Sequence, residues 1–123
     1  GKRFLLARAS RGREVLAERL RASGATVEQN VVYTSRDVRY PEPMVVAMLR
    51  AGKCDWATVT SSAIARSLHA MLGADLDRAR LASISPITSA TLRELGHEPA
   101  VEADPYTTEG LVRAMLEERR PEA

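Results

Sequence analysis

The sequence is poor in the residues that build disulfides and metal sites. Its 123 residues include a single cysteine, Cys54, so an internal disulfide is excluded and no cysteine pair at metal-ligand spacing is present. The two histidines, His69 and His97, have no partner at the sequence spacing of a metal site or a catalytic triad. We therefore expect no metal site and favour a reducing, cytoplasmic compartment.

Aromatic residues and an excess of one charge are also scarce. Aromatic residues make up 4% of the chain and the net charge is only +2, whereas nucleic-acid surfaces normally combine a basic patch with aromatic side chains. No apolar run approaches the length of a membrane span, and the first residues do not read as a signal peptide. We expect neither a nucleic-acid partner nor membrane association.

Several catalytic motifs are missing. The chain has no G-x-x-x-x-G-K-[ST], no G-x-G-x-x-G after the first predicted strand, and no nucleophile elbow. A phosphoacceptor receiver domain needs acidic residues at the end of its first strand, where this chain has Arg8. These enzyme and signalling classes are excluded.

The chain alternates short apolar segments with amphipathic ones. The apolar segments predict strands at Lys2–Ala7, Thr26–Tyr33, Trp56–Thr60, Leu81–Ser85 and Pro99–Ala103. Each is followed by a segment with helical spacing, which predicts a parallel five-stranded flavodoxin-like α/β sheet, strand order 2-1-3-4-5, with helices on both faces. We assign residues 1–120 to one domain and predict a disordered tail at 121–123.

In such sheets a ligand binds beyond the carboxyl ends of the strands, where the strand order reverses. Arginines, a glycine, a tyrosine and small hydroxyl residues follow the predicted strands there. These candidate residues are Arg8, Ser10, Arg11, Gly12, Arg13, Tyr33, Thr60, Ser61, Ser62, Ser85, Thr88 and Ser89.

This composition suits anion recognition. The first turn of a helix offers unpaired N–H groups and partial positive charge, and small hydroxyls add donors. Three such corners at one crevice would favour a ligand with several negative groups. Two alternatives stay open: Ser and Thr are also preferred helix caps, as we expect for Thr107, and the arginines are equally compatible with a solvated loop.

Three stretches, taken in order, resemble the uroporphyrinogen-III synthase family. They are "GKRFLLARASRGREVLAERLRASGATVEQNVVY", "DWATVTSSAIARSL" and "ASISPITSATLRELGHEPAVEADPYTTEGLVRAML". Together they cover nearly the whole chain and are similar to the second half of a family member. The family's "G-P-T-T" stands here as Ser85-Pro86-Ile87-Thr88, so one glycine and one hydroxyl are absent, and the resemblance adds Ile87 to the substrate-binding residues.

The resemblance implies an enzyme that cyclises hydroxymethylbilane, a linear tetrapyrrole polycarboxylate, with inversion of the last ring and loss of water. It implies no metal and no organic cofactor. By the same resemblance Tyr33 helps water to leave, while Ser61 and Thr88 match a serine and a threonine that follow strands three and four.

Family members are roughly twice as long and have two domains that exchange segments. The resemblance therefore implies a half enzyme, whose strands could be shared between the sheets of two domains or two chains. Its partner would be the missing amino-terminal half or a second copy in a homodimer. A non-catalytic flavodoxin-like module that binds an anion or a regulatory partner remains the alternative.

Overall fold

A computed structural model describes residues 1–12 and 14–118. Its strands are β1 (Arg3–Ala9), β2 (Thr26–Tyr33), β3 (Trp56–Val59), β4 (Arg80–Ser83) and β5 (Val101–Glu102). Its α-helices are α1 (Val15–Ala22), α2 (Pro43–Arg50), α3 (Ser62–Leu72), α4 (Pro86–Glu94) and α5 (Thr108–Glu117), and a 3₁₀ helix spans Gly73–Arg78. The predicted tail at 121–123 and the candidate residue Arg13 lie outside the described residues.

The chain divides into two compact units, 1–37 and 38–123. The first unit is a β-α-β element in which β1 and β2 pair in parallel, from Arg3 opposite Thr26 to Ala9 opposite Tyr33. Its buried apolar residues are Ala17 on α1 and Val27 on β2. Much of its remaining apolar surface is open, since Leu5 is 68% exposed.

The second unit holds a parallel sheet of three strands in the order β3-β4-β5. One core cluster packs α3, α4 and the 3₁₀ helix against this sheet. Its buried residues are Val59, Ala65, Leu76, Leu81 and Leu92. A second cluster packs α5 against the sheet through Ala82, Ala103 and Leu111. Burying a leucine side chain contributes about 1.5–3 kcal/mol, so these clusters stabilise the second unit.

The prediction of one five-stranded sheet is wrong. The structure has the predicted strands, their parallel direction and the alternating helices, but it forms sheets of two and three strands. Strand order 2-1-3-4-5 required β1 to pair with β3, and this pairing is absent from the described residues. A periodic pattern identifies a strand but does not say which edge it pairs with, and the family's exchange of segments had left this outcome open.

No helix in the described part of the chain combines the length and the apolar character needed to cross a membrane.

Candidate functional site

The candidate residues form two groups, one in each unit. The first unit holds Arg8, Ser10, Arg11, Gly12 and Tyr33. The second unit holds Thr60, Ser61, Ser62, Ser85, Ile87, Thr88 and Ser89. In both units they lie at or just beyond the carboxyl ends of parallel strands: Arg8 is the last residue but one of β1, Tyr33 is the last residue of β2, and the others follow their strands.

In the first unit the carboxyl ends of β1 and β2 lie side by side. Ala9 stands opposite Tyr33, and the register shifts between Arg8 and Ala9. The Ser10 N–H donates a 2.8 Å hydrogen bond to the Tyr33 carbonyl, which joins the two strand ends. The Tyr33 residue is 62% exposed, so its phenol is accessible to a ligand.

Arg8 is held by residues of its own unit. Its guanidinium pairs with the Glu14 carboxylate, donates to Gln29 Oε1 at 2.8 Å, and donates to the Gly12 carbonyl at 3.3 Å. Gly12 has φ +152°, a conformation that L side chains rarely adopt, so the carbonyl takes this position most easily on a glycine. A hydrogen bond from Gln29 and then one from Arg8 lower the pKa of the Glu14 carboxyl.

Arg11 lies nearer to solvent, with 46% of its side chain exposed. It pairs with Asp37 at 2.7 Å, and its Nε donates to Ser35 Oγ at 3.2 Å. The hydrogen bond and the charge of Asp37 raise the pKa of the Arg11 guanidinium. The Arg11 guanidinium therefore already binds one carboxylate, that of Asp37, and its exposed side also lets a ligand carboxylate reach it.

A shallow groove runs along β1 and α1 in this unit. It is lined by Leu5, Leu6, Ala7, Arg8, Arg11, Gly12, Leu16, Ala17 and Gln29. The groove thus combines an apolar floor with two arginines, which suits a ligand that has apolar rings and acidic substituents.

In the second unit, the corner between β3 and α3 carries three hydroxyl residues. Ser61 caps α3, because its Oγ accepts a 3.1 Å hydrogen bond from the Ile64 N–H. Ser62 Oγ accepts from Thr91 Oγ1 at 3.1 Å, which ties α3 to α4. Thr60 is exposed between the strand and the helix.

The corner between β4 and α4 is built in the same way. Ser85 caps α4 by accepting from the Thr88 N–H at 3.3 Å, and its Oγ lies 3.2 Å from Thr88 Oγ1. Thr88 is only 2% exposed and Ser89 is fully buried, whereas Ile87 is 61% exposed. At this corner Ser85 and Ile87 therefore reach the surface, whereas the hydroxyls of Thr88 and Ser89 lie beneath it.

Sequence reasoning missed the carboxylate of Glu102, which is an exposed residue of β5 and contacts α4. Ser89 Oγ donates to Glu102 Oε1 at 2.6 Å and lies 2.9 Å from Ser83 Oγ. Ser83 and Glu102 are partners in the register of β4 and β5. The pairing of β4 with β5 would have identified Glu102 as a neighbour of Ser83, but the pattern of apolar residues in the sequence does not give this pairing.

The two histidines, which show no metal or triad spacing in the sequence, form a chain with an aspartate in the structure. His97 is 3% exposed, its Nδ1 lies 2.8 Å from Asp77 Oδ1, and its Nε2 lies 2.8 Å from His69 Nδ1. The three residues come from different elements, so their spacing in the sequence gives no signal. Within residues 1–12 and 14–118, no group of three or more His, Cys, Asp or Glu side chains is arranged to hold a metal ion.

Comparison with known proteins gives consistent results. The family model of uroporphyrinogen-III synthase HemD matches residues 1–113. The uroporphyrinogen-III synthase of Synechococcus elongatus is 32% identical over 125 residues, covering 94% of this chain and 47% of that protein. The chain thus spans about half the length of the curated relative it matches.

Solved structures show the same fold. Uroporphyrinogen-III synthetase from Helicobacter pylori superposes with a TM-score of 0.71 at 22% identity, covering 96% of this chain and 54% of that one. Uroporphyrinogen III synthase from the extremely thermophilic bacterium Thermus thermophilus gives a TM-score of 0.54 at 18% identity, covering 94% and 48%. With a family model that matches all but the last ten residues, this chain belongs to the uroporphyrinogen-III synthase HemD family.

Proposed function

We propose that this chain is the carboxyl-terminal half of a uroporphyrinogen-III synthase. Together with the other half, it cyclises hydroxymethylbilane, inverts the last pyrrole ring and releases water, a step of tetrapyrrole biosynthesis in the cytoplasm. The observation that carries this proposal is the family match over residues 1–113.

The substrate is a flexible polycarboxylate, and the exposed candidate residues suit such a ligand. Arg11 is the arginine that a ligand carboxylate reaches, because 46% of its side chain is exposed against 20% for Arg8. In the second unit, the Ser61 hydroxyl and the backbone N–H of Ile87 offer donors at the first turns of two helices, whereas the Ser85 hydroxyl already donates to Thr88 Oγ1. Each group binds carboxylates by charge-assisted hydrogen bonds, which are stronger than neutral ones.

Tyr33 is the proposed acid. Its phenol is exposed, and no hydrogen bond to its hydroxyl is found in the described part of the chain. The hydroxyl donates a proton to the leaving oxygen of the substrate's hydroxymethyl group as the carbon–oxygen bond breaks, so that water departs. The arginine and hydroxyl groups hold the chain so that the two ends close to the inverted isomer.

The other half is the proposed partner. β1 has apolar residues on both faces, Phe4 and Leu6 on one and Leu5 on the other, as is typical of a strand buried inside a parallel sheet. β1 pairs with β2 along one edge, and no other strand of the described chain pairs with its second edge. With Leu5 68% and Val32 58% exposed, we propose that the amino-terminal half covers this surface. A homodimer would cover it with a second copy instead, and the mass of the assembly in solution distinguishes the two.

The test is the isomer that forms. Hydroxymethylbilane is incubated with this chain, alone and with the amino-terminal half of the Synechococcus elongatus relative, and the type I and type III products are separated by chromatography. The proposal requires the type III isomer when both halves are present. If only the type I isomer forms and a porphyrin polycarboxylate still binds in a salt-sensitive way, the chain is a non-catalytic binding module.

Tyr33→Phe tests the role of the phenol. Removing the hydroxyl should lower turnover on the order of 100-fold, the lower end of the usual contribution of a general acid, without weakening product binding. Tyr40→Phe is the matched control, because Tyr40 is 83% exposed and lies outside both groups of candidate residues. A large loss of binding with unchanged turnover would contradict the proposed role of Tyr33.

A further inference from the structure

The loop after β1 makes hydrogen bonds to two points at the end of β2 and just beyond it, the Tyr33 carbonyl and the Ser35 N–H. The Ser10 N–H donates to the Tyr33 carbonyl at 2.8 Å, and Ser10 Oγ accepts from the Ser35 N–H at 2.8 Å. The Ser10 hydroxyl itself lies 3.5 Å from the Ser35 carbonyl. One serine therefore fixes the backbone from residue 33 to residue 35.

Arg11 extends this contact by two residues. Its Nε donates to Ser35 Oγ at 3.2 Å, and the guanidinium pairs with Asp37 at 2.7 Å. Ser10 and Arg11 together thus bind the segment 33–37. We call these two residues and that segment the Tyr33 clamp.

The clamp follows directly after an irregularity in the sheet. Arg8 is opposite Val31, but Ala9 is opposite Tyr33, so β2 has one extra residue, Val32, at this point. A bulge of this kind changes the face on which the next side chain lies, and bulges often re-aim side chains beside active sites. Because the ladder is disrupted here, the orientation of Tyr33 depends on the contacts made just beyond it.

We infer that Ser10 is a positioning residue for Tyr33, through the Tyr33 clamp. This inference rests on the proposed role of Tyr33 as the acid. The backbone N–H and the hydroxyl of Ser10 are both occupied within its own unit, so on this inference Ser10 acts through Tyr33, whereas the sequence predicts that it binds the substrate directly. Because the phenol is exposed, its position depends on the backbone of Tyr33, and the clamp fixes that backbone.

Ser10→Ala tests the inference, because it keeps the backbone N–H and removes the hydroxyl. The net value of one hydrogen bond corresponds to a factor of about three to ten. We expect hydrogen exchange of the Ser35 amide to accelerate by about that factor, and the order parameter of the Tyr33 backbone to fall from the rigid range, about 0.85, towards 0.6. In the assay with both halves, turnover should fall by about three- to tenfold while KM changes less than about twofold.

Two further variants separate positioning from a general loss of structure. Ser10→Thr keeps an Oγ in place and should restore both turnover and Ser35 protection. Ser23→Ala is the control, because the Ser23 hydroxyl donates to the Leu20 carbonyl at the end of α1, outside the clamp. Ser23→Ala should leave the Ser35 exchange rate, the Tyr33 order parameter and turnover unchanged.

Each outcome decides the matter. Unchanged Ser35 exchange and Tyr33 order in Ser10→Ala would overturn the inference, because Ser10 would then not hold the segment. Increased mobility with unchanged turnover would also overturn it, because Ser10 would then hold the segment without positioning Tyr33 for catalysis. If the unsubstituted chain with its other half forms no type III isomer, the proposed function fails. The positioning of Tyr33 is then judged by exchange and order parameters alone, so the two failures are distinguishable.

Discussion

Replacing His97 with leucine should destabilise the second unit by about 2 kcal/mol. His97 is 3% exposed and has two side-chain contacts of 2.8 Å, one with Asp77 and one with His69. A hydrogen bond to a carboxylate contributes about 1.5–3 kcal/mol and a neutral one about 1 kcal/mol. Leucine has a similar size and recovers roughly 1 kcal/mol through apolar burial, which leaves the net loss at about 2 kcal/mol.

Urea unfolding followed by tryptophan fluorescence measures this loss, because the single tryptophan, Trp56, lies on β3 in the same unit. His69→Leu is the graded control, since it removes only the contact with His97 and should cost about 1 kcal/mol. A loss below about 0.5 kcal/mol for His97→Leu would refute the reasoning. So would a larger loss for His69→Leu than for His97→Leu.

Three further predictions concern other parts of the fold. Gly110→Ala should destabilise the second unit by about 1–3 kcal/mol or more in urea unfolding, because the new Cβ would overlap the Pro105 carbonyl oxygen and the backbone would have to shift; an unchanged unfolding midpoint would contradict this. Leu92→Ala should cost about 2–5 kcal/mol in urea unfolding, because Leu92 is fully buried, and a loss below about 1 kcal/mol would show that the core repacks. Gln29→Ala should raise the pKa of Glu14 towards its ordinary value in a ¹³C NMR titration, because Gln29 is the main cause of its depression. Since the folded pKa is lowered, the Glu14 carboxylate stabilises the first unit above the ordinary glutamate pKa, and this contribution is lost as pH falls through the lowered value.

The helix caps were predictable because they are local. Ser61, Ser85 and Thr107 each accept a hydrogen bond from the backbone N–H three residues later. The residue type and its position before an amphipathic segment are sufficient to identify such a cap. The strand and helix order could be predicted for the same reason, since the periodicity of apolar residues is a local property.

The predicted ends of the strands and helices were less accurate than their order. The first strand runs two residues beyond the predicted Ala7, the fifth is only Val101–Glu102, and the 3₁₀ helix Gly73–Arg78 was not predicted. Strand ends depend on which neighbour supplies hydrogen bonds, and the pattern of apolar residues does not record the neighbour.

By itself the sequence determined the α/β class, the parallel direction of the strands, the two hydroxyl corners and the family resemblance. Tertiary structure alone decided the division into two sheets, the burial of Thr88 and Ser89, the Tyr33 clamp and the Asp77–His97–His69 chain. The physical reason is that each of these depends on contacts between residues distant in sequence, which are set by packing and strand pairing and leave no periodic trace in the chain.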